Sequence, residues 1–304
     1  MIRLLLWRLA LIPITVLGVV TVLFIVFKSV PGDEATMIAG ATATQAEINV
    51  VRHQLGLDRP LLLQYSHRVR GLLHGDLGYS ATFRANPLPR ILERVPATLL
   101  LTLSAIVVTI LIGVPAGVVA ARFQHGAPDV AVTAGIVALL AVPNFWLGMM
   151  LIALLSVQLH WLPSIGMAGP ASLVMPTMAL SARLIALVGR LTRGVVIEER
   201  RKDYVRTAYA KGLSVSRVMY RHVLRNALIP IVTVLGLEAG YLLGGSVVVE
   251  RLFAWPGIGD LLLTAVGLRD YTLVQGITVL FVIGFLLINL LVEVFYRMIN
   301  PRLR

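Results

Sequence analysis

Apolar positions gather into six runs long enough to cross ~30 Å of hydrocarbon: residues 9–27, 97–121, 130–155, 173–189, 228–249 and 274–294. The fourth is the shortest and is interrupted by Pro176 and Arg183. The pattern predicts an all-α fold, a polytopic membrane helix bundle with six transmembrane helices. Two polar stretches break the rhythm, a long one over 28–96 and a charged one between the fourth and fifth runs. In the first, Thr44 and Glu47 have the spacing of a capping box, opening a helix that ends at Gly56. Pro60 then starts a second helix with an apolar stripe of Leu62, Tyr65, Val69 and Leu72 or Leu73. The chain accordingly divides into 1–96, a first span with an outer subdomain packed on the spans, and 97–304, the remaining five helices.

Composition agrees with the pattern. Hydrophobic residues make up 58% of the chain and charged residues 14%, where a soluble domain carries about a quarter charged. The net charge of +12 does not mark a nucleic-acid binder, because the basic residues flank the apolar runs and so act as topology signals. Arg3 and Arg8 precede the first run, Arg122 follows the second, ten basic residues lie from Arg190 to Arg225, and Arg297, Arg302 and Arg304 follow the sixth. With six spans, all of these fall on one side. The opposite short loops, 156–172 and 250–273, hold only Arg251 and Arg269. Both termini are therefore expected in the cytoplasm, with 28–96 outside. The first run exceeds a signal-peptide core and lacks a nearby small-x-small site, so it reads as a retained span.

The densest charge lies over 198–230. A helix is expected over 199–211, with Gly212 as its left-handed cap and Ser214 capping a second short helix. In that second helix Val215, Val218, Met219 and Val223 share one face, and Arg217, Arg221 and Arg225 lie towards the other. Such an elbow suits docking of a soluble partner. Its basic residues equally suit attachment to anionic lipid, at only ~1 kcal/mol each.

Much chemistry is missing. The chain has no cysteine, and none of its three lysines, Lys28, Lys202 and Lys211, follows a glycine as a phosphate-binding loop requires. Six histidines are scattered without metal-ligand spacing, and no Gly-x-Ser-x-Gly elbow occurs. Three ionisable residues fall within spans. Arg183 and Glu293 are near enough to span ends for water to reach them. Glu238 is nearer mid-span between Gly236 and Gly240, where it either makes a packing contact or lines a route for a polar solute. The loop 253–259 combines aromatics with turn formers, and Trp255 suits either the membrane interface or an outer partner.

Many short motifs, in order, carry a resemblance. They are Pro31-Gly32-Asp33, Leu55-Gly56-Leu57-Asp58-Arg59-Pro60, Gln64-Tyr65, Gly75-Asp76-Leu77-Gly78 and Pro96-Ala97-Thr98-Leu99. Pro143-Asn144-Phe145-Trp146-Leu147-Gly148, Asp203-Tyr204-Val205-Arg206-Thr207-Ala208, Ala210-Lys211-Gly212-Leu213 and Leu224-Arg225-Asn226-Ala227-Leu228-Ile229-Pro230 follow. Glu250, Phe253, Trp255-Pro256-Gly257-Ile258-Gly259, Arg269-Asp270-Tyr271 and Asn300-Pro301-Arg302 complete the set. Over nearly its full length the chain resembles the B-type permease subunit of peptide and nickel ABC importers, the dipeptide and oligopeptide permease family.

The resemblance implies a bacterial inner-membrane permease that takes up peptides delivered by a binding protein, or nickel complexes as in some relatives. It implies that residues 97–304 form the permease core. The loop residues Arg206, Thr207, Ala208, Lys211, Gly212 and Leu213 would then dock on an ATPase, with Arg206 standing where the general E-A-A-x-x-x-G motif has an acid. Implied partners are a second related permease, two ATPases and an extracytoplasmic binding protein, besides membrane lipid. ATP and magnesium would be held by the ATPases, so this chain would not itself be an enzyme. Further site residues would be Glu238 in the path and Trp255, Pro256 and Gly257 towards an outer partner. A secondary transporter is the rival class, with Glu238 as its one candidate coupling group.

Overall fold

A computed structural model of the chain describes residues 2–29, 34–40 and 42–299. The motif Pro31-Gly32-Asp33, the terminal Asn300-Pro301-Arg302 and Arg304 lie outside the described residues, as do the side chains of Arg3, Arg8 and Arg297. The elements in order are α1 (Ile2–Ser29), α2 (Glu34–Ala39), α3 (Gln45–Gln54), α4 (Leu61–Leu73), α5 (Leu88–Arg122) and α6 (Ala127–Ala141). They continue with α7 (Asn144–Gln158), α8 (Pro170–Arg200), α9 (Asp203–Ala210), α10 (Val215–Leu252), α11 (Ile258–Gly267) and α12 (Tyr271–Ile299). Among the described residues there is no strand beyond an isolated bridge between Ser80 and Ala85. Among the described residues five helices are long and apolar enough to cross a membrane, and six spans result if α6 and α7 count as one.

The chain forms two compact units, residues Met1–Ala97 with Pro256–Leu286, and residues Thr98–Trp255 with Leu287–Arg304. In the first unit, Leu77, Ile91, Ile258, Leu261, Ala265, Leu273 and Ile277 make one core. Val16, Val20 and Val279 make another, against which Tyr65, Val69 and Leu72 of α4 pack. The segment between α1 and α5 is thus fastened to α1 by the α4 stripe, reinforced by a hydrogen bond of 2.7 Å between the Thr21 and Tyr65 hydroxyls. Leu62 and Leu73 are exposed and stand off that stripe, because the 3.6-residue period carries them past its edge. The Thr44–Glu47 capping box forms as expected and opens α3.

In the second unit α8 is the centre, packing against α6, α7 and α10. Small residues let backbones approach: a Cβ on Gly117 of α5 would lie 2.5 Å from the Gly189 carbonyl of α8. On α10, a Cβ on Gly236 would lie 2.1 Å from a Val292 methyl of α12.

Three boundaries differ from expectation. The third span is not one rod: α6 and α7 meet at 102°. Pro143 has no N–H to give the ladder and forces Val142 into an extended conformation, φ −90° and ψ 123°. The fourth helix is longer than its apolar run, passing unbroken through Pro176 to Arg200. Pro176 is the seventh residue of α8, so its missing N–H removes one intrahelical bond without ending the helix. The fifth begins at Val215 and runs without interruption to Leu252, so the expected second short helix is the first turns of a span.

Candidate functional site

The loop between α8 and α10 is built from its ends inward. At the end of α8 the buried Glu199 takes the Lys202 ammonium and, at 2.6 Å, the Tyr204 hydroxyl. Glu199 raises the Lys202 pKa through that bond, while burial and the same carboxylate raise the Tyr204 phenol. Arg200 donates to the Ala121 carbonyl of α5 at 2.7 Å. α8 ends at Arg200, and α9 starts afresh at Asp203. The single helix expected over 199–211 is therefore two, with the break at Arg201 and Lys202.

The end of α9 is closed by two bonds, Leu213 N–H to the Ala208 carbonyl at 3.3 Å and Gly212 N–H to the Tyr209 carbonyl at 2.9 Å. Gly212 has φ +76°. This is the glycine-dependent cap in which the two residues beyond the helix reach back to its last turn. Ser214 takes the N-cap position of α10, but its hydroxyl makes no cap bond. Val205 and Ala208 are buried, and α9 lies against the π-wound turn 218–223 of α10, where Val218, Met219 and Val223 are buried.

Arg206, Thr207, Lys211 and Gly212 are exposed and Leu213 half-buried. Arg206 makes only a 3.7 Å contact with Asp203, on two well-solvated side chains. Ala208, expected at the surface, faces the protein interior, so the outward face is Thr207, Tyr209, Lys211, Gly212 and Val215.

Two pairs of charges in the second unit were not evident from spacing. Arg193 of α8 grips Asp129 in α6 through two bonds of 2.6 and 2.8 Å, and Asp129 also accepts the His125 N–H. Arg183 of α8 meets Glu238 of α10 at 3.3 Å. Arg183, expected near water, and Glu238, expected as a packing contact or path group, are paired by the fold. Positions 55 residues apart on separate helices have no periodicity to betray them.

Glu250, assigned from sequence to an outer loop, is fully buried in the last turn of α10, where it takes the Thr98 hydroxyl at 2.8 Å and the Ser246 hydroxyl at 2.9 Å. The Ser246 to Glu250 spacing of one helical turn was the available signal. Beyond it α10 ends with Ala254 at φ +46° and the Trp255 N–H on the Glu250 carbonyl at 2.8 Å. That turn sends the residue after the left-handed position back over the helix. Trp255 is accordingly 1% exposed. Gly257 is buried and Pro256 half-buried. Trp255 therefore fills the interior, and it is not a wet interfacial anchor or an open contact surface.

Residues 113–304 match the family model described as binding-protein-dependent transport system inner membrane component, and residues 1–102 match the model for the N-terminal part of such components. The glutathione transport system permease protein GsiC of Escherichia coli is 42% identical over 296 residues, 97% of this chain and 96% of that protein. GsiC of Salmonella choleraesuis is 42% identical over 297 residues, with the same shares. Among solved structures, the inward-facing methionine ABC transporter MetNI has a chain that superposes with a TM-score of 0.61 at 21% identity, covering 71% of this chain and 99% of that one. A chain of an amino acid ABC transporter gives 0.55 at 18% identity, covering 69% and 94%. At such identities these two establish the shared fold. The matched model covers well over half of the sequence, and the chain belongs to the family of inner membrane components of binding-protein-dependent transport systems.

Proposed function

We propose that this chain is one of two related permeases in an ABC importer that takes up small peptides, glutathione-like tripeptides foremost. The observation that carries the reading is the 42% identity, over nearly the whole length of both chains, to glutathione transport permeases. The capped knuckle of α9 supports it. A short helix held at both ends, with an outward face and a tether into a span, is a shape that a moving ATPase can push. Two ATPases hold the nucleotide and magnesium and carry out hydrolysis, and an extracytoplasmic binding protein delivers the solute. Both termini and the α9 knuckle lie in the cytoplasm, following the basic residues. Closure of the ATPases moves Arg206–Leu213, α10 follows, and the path around Glu238 opens alternately to each side. Such a shift needs contacts that differ between the two states.

The test is purification of the tagged chain with its genomic neighbours coexpressed, followed by uptake in proteoliposomes. An ATPase should co-purify, and the loaded binding protein should stimulate ATP hydrolysis and glutathione uptake. A chain that transports with no ATPase bound would return the reading to a secondary transporter. Calorimetric screening of the binding protein against glutathione, dipeptides and longer peptides then fixes the solute.

A further inference from the structure

Arg183 sits 13 positions into α8 from Pro170, roughly 20 Å at 1.5 Å per residue. Glu238 stands at the centre of the last apolar run but one. Their side chains are 60% and 18% exposed. A guanidinium within an apolar run is costly against lipid tails and therefore faces a watery passage or another polar group.

The contact between them is also slight. One nitrogen, Nη1, meets one oxygen, Oε2, at 3.3 Å. The Arg193–Asp129 pair of the same unit shows what a structural lock looks like here, with two bonds of 2.6 and 2.8 Å on a buried carboxylate. An arginine offers five donors in a planar fork that fits a carboxylate through two parallel bonds. Arg183 spends one of them, weakly. Glu238 is close enough to neutralise the guanidinium, but it leaves the fork open.

The geometry points to Arg183 as a docking group for the carboxylate of a peptide crossing the membrane, with Glu238 as the resting counterion that the incoming carboxylate relieves or joins. This rests on the reading of Glu238 as lining the path and names the chemistry of that site. No bond is made or broken: the step exchanges one ion pair for another. A carboxylate supplied by a neighbouring subunit is the competing occupant of the open fork.

Because the chain has no native cysteine, the charge can be removed and restored chemically. The variant Arg183→Cys/Glu238→Gln leaves no unbalanced charge. Assembled with its ATPases, second permease and binding protein, it is assayed with radiolabelled glutathione before and after methanethiosulfonate reagents. Loss of a charge-assisted contact should lower uptake roughly tenfold or more. Attaching an aminoethyl group should restore most of it, although Glu238 is no longer there to be paired. Attaching a sulfonatoethyl group should not. Wild-type uptake by the untreated variant would mean that the pair only neutralises itself. Equal effects of both reagents would remove the carboxylate-docking role while leaving the position in the path. Failure of either reagent to label position 183 in the complex would sink the path reading too. A wild-type complex without ATP-dependent uptake would instead overturn the importer assignment.

Discussion

The Ser80 hydroxyl donates to the Asp270 carboxylate at 2.6 Å across 190 positions of sequence. The same carboxylate accepts the Thr82 N–H at 2.9 Å and caps α12 through the Leu273 N–H at 3.0 Å. Asp270 is 3% exposed, so water cannot replace it. Asp270→Ala should cost about 3 kcal/mol, since it strands the buried Ser80 hydroxyl and Leu273 N–H at once. We expect faster tryptic cleavage at the exposed Arg84 and a lower melting temperature, with Asp270→Asn intermediate. Unaltered cleavage of the alanine variant would show that the contact contributes little.

Gly212 tests the knuckle. A Cβ there meets no atom within 4 Å, so Gly212→Val acts through the backbone alone, by about 1 kcal/mol or more for a branched residue at positive φ. Ala208→Asp is harsher than a surface change, because the methyl faces inward and a carboxylate there would be buried without a partner, at roughly 3 kcal/mol. Both variants should reach the membrane at near-normal levels, retain less ATPase on purification and lose uptake. If both transport normally with ATPases bound, this loop does not couple hydrolysis to movement.

Orientation is open to direct labelling. Gln45 and Ser214 are both exposed, and single cysteines at these positions have no native competitor. An impermeant maleimide applied to intact spheroplasts should label Gln45→Cys and leave Ser214→Cys unlabelled until the cells are opened. The reverse pattern would invert the topology and remove the ATPase from the knuckle.

Gly117 and Gly135 form a matched pair of opposite expectation. A Cβ on Gly117 would strike the backbone oxygen of Gly189 at 2.5 Å, whereas Gly135 has nothing within 4 Å. Gly117→Ala should destabilise by about 1–3 kcal/mol through overpacking, read as lost monodisperse yield in detergent. Gly135→Ala should be neutral or slightly stabilising, because alanine restricts the unfolded chain. Equal behaviour of the two would contradict the close α5–α8 approach.

Apolar runs reveal spans because a membrane rewards length and hydropathy whatever the neighbours are. That is why the helices were legible, along with the Thr44–Glu47 box, the Gly56 and Gly212 stops and the α4 stripe through Tyr65 and Val69. What stayed hidden depends on the third dimension. The run 130–155 reads as one span, and the 102° turn at Pro143 within it was not legible from hydropathy. The Arg183–Glu238 and Arg193–Asp129 pairs join residues on different helices. Trp255 misled because its chemistry fits a wet interface, while the backbone turn at Ala254 points it inward. Ala208 was placed on the correct helix but the wrong side, since an eight-residue helix carries too few turns for its period to fix a face.

The uninterrupted α10 joins the knuckle to the middle of the membrane in one piece. From Val215 to Glu238 is roughly 35 Å of continuous helix at 1.5 Å per residue. Two features weaken that rod, the π-wound turn 218–223 and Pro230, which lacks an N–H. If the rod rocks at Pro230, the arm on the knuckle side is about twice the length of the arm reaching Glu238. A push at Gly212 would then arrive at the carboxylate as a smaller displacement with greater force. Such gearing would suit prising Glu238 away from Arg183 more than carrying it across the bilayer.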